Sequence, residues 1–168
     1  PVDGSLRAMS VSKGREPRSW LIYAGVGDNN AQWFDLLLPA YRVSTFSFAP
    51  AKFTDCHYPG YVEILTDDFH NPRFLSMSPD ICLWQGWAPE VVSEVKESEN
   101  WVSLDVRPDK KYAAVGTING AIYLLKLHPK LSVVDILEGH SNRITALLLS
   151  DDHLISASAD LTLRRWDL

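Results

Sequence analysis

The fold is decided by residues 153–168, which read HLISASADLTLRRWDL. Apolar and polar residues alternate on both sides of Asp160, and such alternation is typical of two half-buried β-strands joined by a tight turn. The same pattern recurs 41 residues earlier in residues 112–127, YAAVGTINGAIYLLKL, where Asn119 falls on Asp160. The chain therefore contains a repeat, and the repeat unit is built from strands.

Two earlier copies extend this repeat toward the N-terminus. Another 41 residues back, residues 73–84 read RFLSMSPDICLW and put Trp84 at the place of Trp166. Residues 21–36, LIYAGVGDNNAQWFDL, put Phe34 a further 50 residues before Trp84. No copy shows the sustained i, i+3, i+4, i+7 spacing of apolar residues that marks an amphipathic helix, so the sequence predicts an all-β protein.

The strands within each copy predict the blades of a β-propeller. In the last copy we expect strands at residues 132–137, 143–149, 153–158 and 161–166, and in the third at residues 91–97, 101–106, 112–116 and 121–127. Four short antiparallel strands in about 40–45 residues make one propeller blade. In the second strand of the last copy, alternation predicts inward-facing Ile144, Ala146 and Leu148 and exposed Thr145 and Leu147.

The repeat also predicts the organisation of the whole chain. We expect one partial β-propeller over residues 1–168, with blades at approximately residues 5–48, 49–90, 91–131 and 132–168. Residues 37–60 contain three prolines and five aromatic residues and are predicted to be a longer connection or insertion that begins with an outer strand near residues 42–48. Propellers close with about 4–8 blades, so four blades are the lower limit. We therefore expect these four to belong to a larger ring or to one that a second chain or a partner completes. The chain opens with Pro1 rather than Met, and excision from a longer protein would explain this.

The last copy carries two dipeptides that mark a known family. Gly139-His140 precedes its second strand, and Trp166-Asp167 ends its fourth. With these residues the copy resembles a WD40 repeat. The resemblance implies a propeller and a buried structural network that joins His140, Ser156, Asp160 and Trp166. Such a network is stable only when each polar member is paired.

The earlier copies depart from the WD40 pattern. The third has Val115 in place of the serine and Leu125 in place of the tryptophan, so its network is absent. The first keeps an aspartate at the turn, Asp28, but has Ala24 and Phe34 at the other two places.

Catalytic and metal-binding roles are not expected for this chain. His140, Ser156 and Asp160 combine a base, a hydroxyl and an acid, but burial between strands would keep a substrate away from them. The five histidines share no i, i+2 or i, i+4 spacing, so neither a metal nor a cofactor is predicted. A catalytic propeller remains an alternative, and it would need acidic or histidine side chains at the inward ends of several innermost strands.

Composition limits the remaining classes. The formal net charge is −5 and the basic residues are dispersed, which argues against nucleic-acid binding but leaves binding through a propeller rim as an alternative. No run of 18 apolar residues is present, so no membrane span is expected. Of the two cysteines, Cys82 lies in an apolar run and is predicted to be a core residue. Cys56 and Cys82 do not show the spacing of a disulfide framework, so an intracellular location, cytoplasmic or nuclear, is expected.

The function expected from these features is that of a non-catalytic protein–protein interaction scaffold within a multi-subunit assembly. The resemblance implies a partner-binding rim at the start of the second strand of each copy and just before the turn. The residues at those places are Trp101, Ser103, Ile118, Arg143, Thr145 and Arg7. Tryptophan and arginine dominate binding hot spots, so Trp101 and Arg143 are the predicted anchors. The sequence does not name the partner, because the repeats encode a fold and fold does not imply function.

Overall fold

The computed structural model describes nine segments of the chain, residues 6–13, 18–25, 31–37, 42–47, 61–65, 73–77, 80–85, 90–95 and 100–168. Side chains are described from Tyr61 onward, for most of these residues. The chain divides into two compact units, Pro1–Glu94 and Val95–Leu168. All regular structure in the described residues is β-strand, so the predicted all-β class is confirmed.

The first unit contains two sheets. The first sheet consists of β1 (Leu6–Lys13), β2 (Arg18–Gly25), β3 (Ala31–Leu37) and β4 (Arg42–Ser47), hydrogen-bonded in that order. The second sheet consists of β5 (Tyr61–Ile64), β6 (Arg73–Met77), β7 (Ile81–Gln85) and β8 (Glu90–Val95), again in chain order. The described pairings are antiparallel, and β1 lies against β5, the first strand of the second sheet. The outer strand expected near residues 42–48 is confirmed as β4.

The second sheet is buried on both faces. Phe74 and Trp84 form a cross-strand pair with stacked rings 5.7 Å apart, and Leu75 pairs with Leu83 on the opposite face. All four side chains are fully buried. Cys82 is fully buried too, as predicted, and its sulfur is disulfide-bonded. Disulfides are more typical of oxidising compartments, so this bond does not support the predicted intracellular location, which stays a prediction.

The second unit contains the other two sheets. The third sheet consists of β9 (Trp101–Val106), β10 (Tyr112–Thr117), β11 (Ile122–Lys126) and β12 (Ser132–Leu137), paired antiparallel in chain order. The fourth sheet has three strands, β13 (Ile144–Leu149), β14 (His153–Ser158) and β15 (Leu163–Asp167). As in the first unit, the first strands of the two sheets, β9 and β13, lie against each other.

The predicted grouping of strands into copies is offset by one strand from the sheets. Ser132–Leu137 was expected to begin the last copy, but it pairs with β11 and closes the third sheet. The strand expected at residues 91–97 likewise belongs to the second sheet, as β8. A sequence repeat is defined only up to a circular shift, so its period cannot tell which four consecutive strands share one sheet.

A β-bulge explains a second departure from the prediction. The pairing register of β13 with β14 shifts between Ile144 and Ala146. A bulge inserts one extra residue and so reverses which face the following side chains occupy. Ile144 is buried as predicted, but Ala146 and Leu148 are exposed, while Leu147 packs against the core.

The core of the second unit lies between the third and fourth sheets. From the third sheet it takes Ala114, Ile122 and Leu124, and from the fourth Ile144, Leu149 and Leu154. Ile144 approaches Gly116 so closely that a β-carbon at Gly116 would lie 2.5 Å from the Ile144 side chain. A glycine is therefore required where the first strand of the fourth sheet crosses the third. A side-chain-to-backbone hydrogen bond also joins the two sheets, since the amide of Leu149 donates to Asp105 over 2.7 Å.

Equivalent turns connect β10 with β11 in the third sheet and β14 with β15 in the fourth. The amide of Thr117 donates to the carbonyl of Ala121 over 3.0 Å, and that of Ser158 to the carbonyl of Thr162 over 3.2 Å. Gly120 occupies the left-handed position of the first turn, with φ of 96°. Leu161 occupies the same position of the second turn, with φ of 69° and a side chain that is 95% exposed. A β-carbon makes this conformation unfavourable, so the turn at Leu161 is strained.

We predict that Leu161→Gly stabilises the protein. Relief of the left-handed strain contributes about 1–2 kcal/mol, and the greater freedom of glycine in the unfolded chain costs about 0.5–1 kcal/mol. The free energy of unfolding in urea should therefore rise by about 0.5–1 kcal/mol. Gly120→Ala is the converse change and should lower it. An unchanged or lower stability of Leu161→Gly would contradict the proposed strain.

Candidate functional site

The structure brings the four predicted network residues together in the fourth sheet. The indole N–H of Trp166 donates to Ser156 Oγ over 2.9 Å, and Ser156 Oγ lies 2.8 Å from His140 Nε2. On the other side of the ring, His140 Nδ1 lies 2.8 Å from Asp160 Oδ2. One tautomer satisfies every group: Nδ1–H donates to Asp160, while Nε2 accepts the Ser156 hydroxyl.

Asp160 is held by more donors than the sequence suggested. The Thr162 hydroxyl lies 2.6 Å from Asp160 Oδ1, the Thr162 amide donates to the same oxygen over 2.9 Å, and the Ser141 amide donates to Oδ2 over 3.1 Å. The hydrogen bond from the Thr162 hydroxyl is the main cause of a pKa for Asp160 below its ordinary value, and the contact with His140 adds to it. The carboxylate thus fixes the turn, the connection before β13 and the imidazole ring together.

This arrangement is suited to structure rather than to chemistry. Ser156 is fully buried and His140 nearly so. The Ser156 hydroxyl already contacts both Trp166 and His140, and it is therefore not available to an external carbonyl. A hydroxyl nucleophile needs an approach path and free oxyanion donors.

A second set of serine, histidine and aspartate lies in the turn between β13 and β14. Ser150 Oγ lies 3.1 Å from His153 Nε2, and His153 Nδ1 lies 2.7 Å from Asp152 Oδ1. The hydrogen bond with His153 lowers the pKa of Asp152. These residues are close neighbours in one exposed turn, and the amide of Ser150 is bonded to the carbonyl of His153. The set closes the hairpin. Among the side chains described, no group of three or more acidic, histidine or cysteine residues could hold a metal ion.

The second sheet retains half of the network. The indole N–H of Trp84 donates to Ser76 Oγ over 2.8 Å in a buried site. Trp84 pairs with Phe74 as Trp166 pairs with Leu154, so the two tryptophans occupy the same register. The sequence repeat predicted that Trp84 corresponds to Trp166, but it did not identify Ser76 as the counterpart of Ser156. The β6–β7 turn is shorter than the β14–β15 turn, so a fixed shift that aligns the two tryptophans does not align the two serines. Thr162 was also missed, although its hydroxyl lies only two residues from Asp160.

In the third sheet the network is replaced by apolar packing. Leu125 pairs with Ala113 at the register of Trp166, and Val115 occupies the register of Ser156. Both side chains are fully buried. The corresponding side chains of the first sheet, at Ala24, Asp28 and Phe34, lie outside the described residues.

Three of the predicted rim residues are exposed, and we call them together the rim surface: Ile118, Arg143 and Thr145. The amide of Ile118 donates to the carbonyl of Asn100 over 3.0 Å, so the turn is tied to the start of β9. In the same turn, a β-carbon at Gly120 would lie 3.0 Å from the carbonyl oxygen of Asn142, which precedes Arg143. The two sheets therefore meet at this end of the unit. The side chain of Arg7, on β1, lies outside the described residues.

The exposure predicted for Trp101 and Ser103 is wrong. Trp101 pairs with Thr117 as Ile144 pairs with Ser158, so Trp101 has the register of a buried residue. Its ring packs edge-on against Tyr123 at 4.9 Å, and its indole nitrogen is buried with no hydrogen-bond partner in the described part of the chain. The oxygen of Ser103 is buried in the same unpaired state. The register shift between Trp101 and Ser103, equivalent to the β13 bulge, displaces Trp101 from the exposed phase. Ser103 keeps the phase opposite to Leu104, and its hydroxyl is buried where Ile144 approaches Gly116.

Comparisons with known proteins address the fold alone. No protein-family model matches the chain, and no curated protein matches it. Among solved structures, the chain is similar to the computationally designed Ika4 protein, with a TM-score of 0.71, 13% sequence identity and coverage of 100% of this chain and 94% of the Ika4 chain. It is also similar to the computationally designed Ika8 protein, with a TM-score of 0.68, 14% identity and coverage of 98% of this chain but 46% of the Ika8 chain. At 13–14% identity, this similarity supports the all-β fold of the chain. It gives no information about the function.

We predict that His140→Ala lowers the free energy of unfolding by about 1–3 kcal/mol, because Asp160 and Ser156 each lose their hydrogen bond with the buried imidazole. The measurement is urea unfolding followed by tryptophan fluorescence. His153→Ala is a matched control, since that ring also contacts an aspartate and a serine but lies in an exposed turn; it should cost less than about 0.5 kcal/mol. Equal losses in the two variants would contradict a structural role for the His140 network.

The pH dependence of stability follows from Asp160. Its pKa is lowered in the folded protein, so its ionised form stabilises the fold at pH values above the unfolded pKa of about 3.9. That contribution is constant from neutral pH to about pH 5 and is lost as the pH falls further, toward the folded pKa. Asp160→Asn should be less stable than wild type at pH 7, and the difference should shrink steadily below about pH 4 in urea unfolding series. A difference independent of pH would contradict this account.

Proposed function

We propose that the chain is part of a WD40-like β-propeller that acts as a non-catalytic scaffold for protein–protein interaction. Each sheet is then one blade, and the fourth sheet is the one that retains the polar network of a WD40 repeat. The observation that carries the proposal is a contrast within the second unit: His140 and Ser156 are buried in a hydrogen-bonded network with the half-buried Asp160, while the rim surface is exposed.

The stacking of the sheets supports a propeller arrangement. In each unit the first strand of one sheet lies against the first strand of the next, β1 against β5 and β9 against β13. In a propeller the first strand of each blade is the one nearest the central channel. The order of strands in each sheet follows the chain, as it does in a blade.

The rim surface supports binding to another protein. Ile118 is 43% exposed at the tip of a turn, and Arg143 and Thr145 are exposed at the start of the adjacent first strand. An apolar side chain beside an arginine is the composition of a binding hot spot. Trp101 is half-buried and packs against Tyr123, so it is not part of the proposed binding surface. Among the described residues, no helix is long and apolar enough to cross a membrane.

The test compares two double variants of equal chemistry. Ile118→Asp with Arg143→Glu changes the rim surface, and Val134→Asp with Lys126→Glu makes the same kinds of change at exposed positions of β12 and β11. Proteins captured on the immobilised chain are quantified by mass spectrometry. We expect the rim variant to lose at least about tenfold of a captured partner that the control retains, which corresponds to about 1.4 kcal/mol.

Two other outcomes would contradict the proposal. Equal capture by both variants would place the binding surface elsewhere. Binding of double-stranded DNA that falls steeply as salt is raised, and that depends on Arg143, would indicate a nucleic-acid rim instead. Thermal unfolding of each variant is the control for folding, because all four positions are exposed and their substitution should change stability little.

A further inference from the structure

Contacts on either side of Arg143 place its backbone beside the turn that carries Ile118. The residue after Arg143 approaches Gly116, where a β-carbon would lie 2.5 Å from its side chain. The carbonyl oxygen of the residue before Arg143 would lie 3.0 Å from a β-carbon at Gly120. Gly116 precedes the turn and Gly120 lies within it, so the backbone of Arg143 runs along the turn between these two contacts.

The backbone of Arg143 is held at both of its polar groups. Its amide donates to Asn142 Oδ1 over 2.8 Å, and its carbonyl accepts the amide of Ala159 over 2.8 Å. The Ser158 hydroxyl donates to the carbonyl of Asn142 over 2.9 Å and holds the preceding peptide as well. The main chain is therefore ordered before a partner arrives, which reduces the entropy lost on binding.

The guanidinium of Arg143 has no carboxylate partner within the second unit. Arg107 forms an ion pair with Asp109, and Arg165 forms one with Asp167 over 3.3 Å. Arg143 is exposed and makes no ion pair with any residue that the structure describes. An arginine on an ordered backbone, without a carboxylate of its own, can take one from a bound molecule.

A carboxylate, rather than a phosphate, is the anion that fits this place. A single guanidinium binds a carboxylate through two parallel hydrogen bonds. Proteins recognise phosphate groups on peptides through clusters of arginines, and they follow nucleic acids with many basic residues. The other two residues of the rim surface, Ile118 and Thr145, carry no charge, and neither do the two sequence neighbours of Arg143.

Ile118 adds an apolar requirement to the charged one. Its side chain is 43% exposed, and its amide is fixed by the carbonyl of Asn100 over 3.0 Å. Removal of the remaining apolar surface from water favours contact with an apolar group. A ligand that uses both residues therefore needs an aliphatic side chain close to its carboxylate.

We propose that the rim surface binds a segment of a partner protein in which an aspartate or glutamate adjoins an aliphatic residue. The carboxylate pairs with Arg143, and the aliphatic side chain packs on Ile118. This inference rests on the proposed function and deepens it, because it names the chemistry of the partner that the rim surface binds.

Selection from a phage-displayed library of random peptides of about 12 residues on the immobilised chain tests this chemistry. We expect the selected peptides to carry an acidic residue within about two positions of an aliphatic one. Arg143→Glu should weaken their binding at least about tenfold, because it replaces an ion pair by a repulsion. Arg165→Glu is the matched control, since Arg165 is also an exposed arginine but already has a carboxylate partner, and it should leave the binding unchanged.

A charge reversal separates the ion pair from an effect on folding. With lysine in place of its acidic residue, a selected peptide should bind the wild-type chain at least about tenfold more weakly. The same lysine peptide should bind the Arg143→Glu variant better than it binds wild type, which a misfolded variant would not do. Selected peptides without an acidic residue, a selection that enriches no peptide, equal binding by the two arginine variants, or no gain in the reversed pair would each overturn the inference.

The inference and the proposed function can fail separately. Peptides that lose binding with Ile118→Asp but contain no acidic residue would keep the rim surface as the binding surface and overturn the carboxylate. Peptides whose binding changes neither with Ile118→Asp nor with Arg143→Glu would place the binding surface elsewhere and contradict both.

Discussion

The second unit depends on the approach of Ile144 to Gly116. This contact fixes how near the first strand of the fourth sheet lies to the third sheet, and any β-carbon at Gly116 would force the two apart. The β-bulge that follows Ile144 then turns Leu147 and Leu149 toward the same core. Without the bulge, the side chains after Ile144 would alternate in the opposite phase, and the residues that now fill the core would lie on the other face of the fourth sheet.

The polar network and the apolar packing are two solutions for one position in a sheet. Ser156 in the fourth sheet carries a hydroxyl that is paired on both sides, while Val115 in the third carries no polar atom. A partly satisfied buried network costs more than either solution, because each unpaired group loses its hydrogen bonds to water without replacement. The second sheet, with Trp84 donating to Ser76, shows that the indole and the hydroxyl can be kept without the imidazole when they satisfy each other.

Sequence alone could predict the strands and the His140 network but not how they are arranged in space. The strands were predictable because alternation is local, and the network because Gly139-His140 and Trp166-Asp167 give the last copy its resemblance to a WD40 repeat. The bulges after Trp101 and Ile144 could not be predicted, since each depends on which backbone groups the partner strand offers. They are also why exposure was misassigned at Trp101 and Leu148. The sequence also could not predict that Ser132–Leu137 belongs to the third sheet. The length of a sequence repeat does not show which strand is the first of a sheet.

In the second unit, the packing of one sheet on another constrains side chains on the sheet faces but not those at the turns and strand ends. A residue on a sheet face is constrained by the sheet that packs on it, as Ala114 and Ile122 are by the fourth sheet. The size and polarity of its side chain therefore reflect that packing. Ile118 and Arg143 lie at turn and strand ends, where neither the ladder nor the stacking uses their side chains. Leu148 is exposed at a face position, whereas Ile118 is exposed at the tip of a turn. The position of an apolar residue in the sheet therefore has to be considered together with its exposure, because a face position is one where another sheet can pack and a turn tip is not.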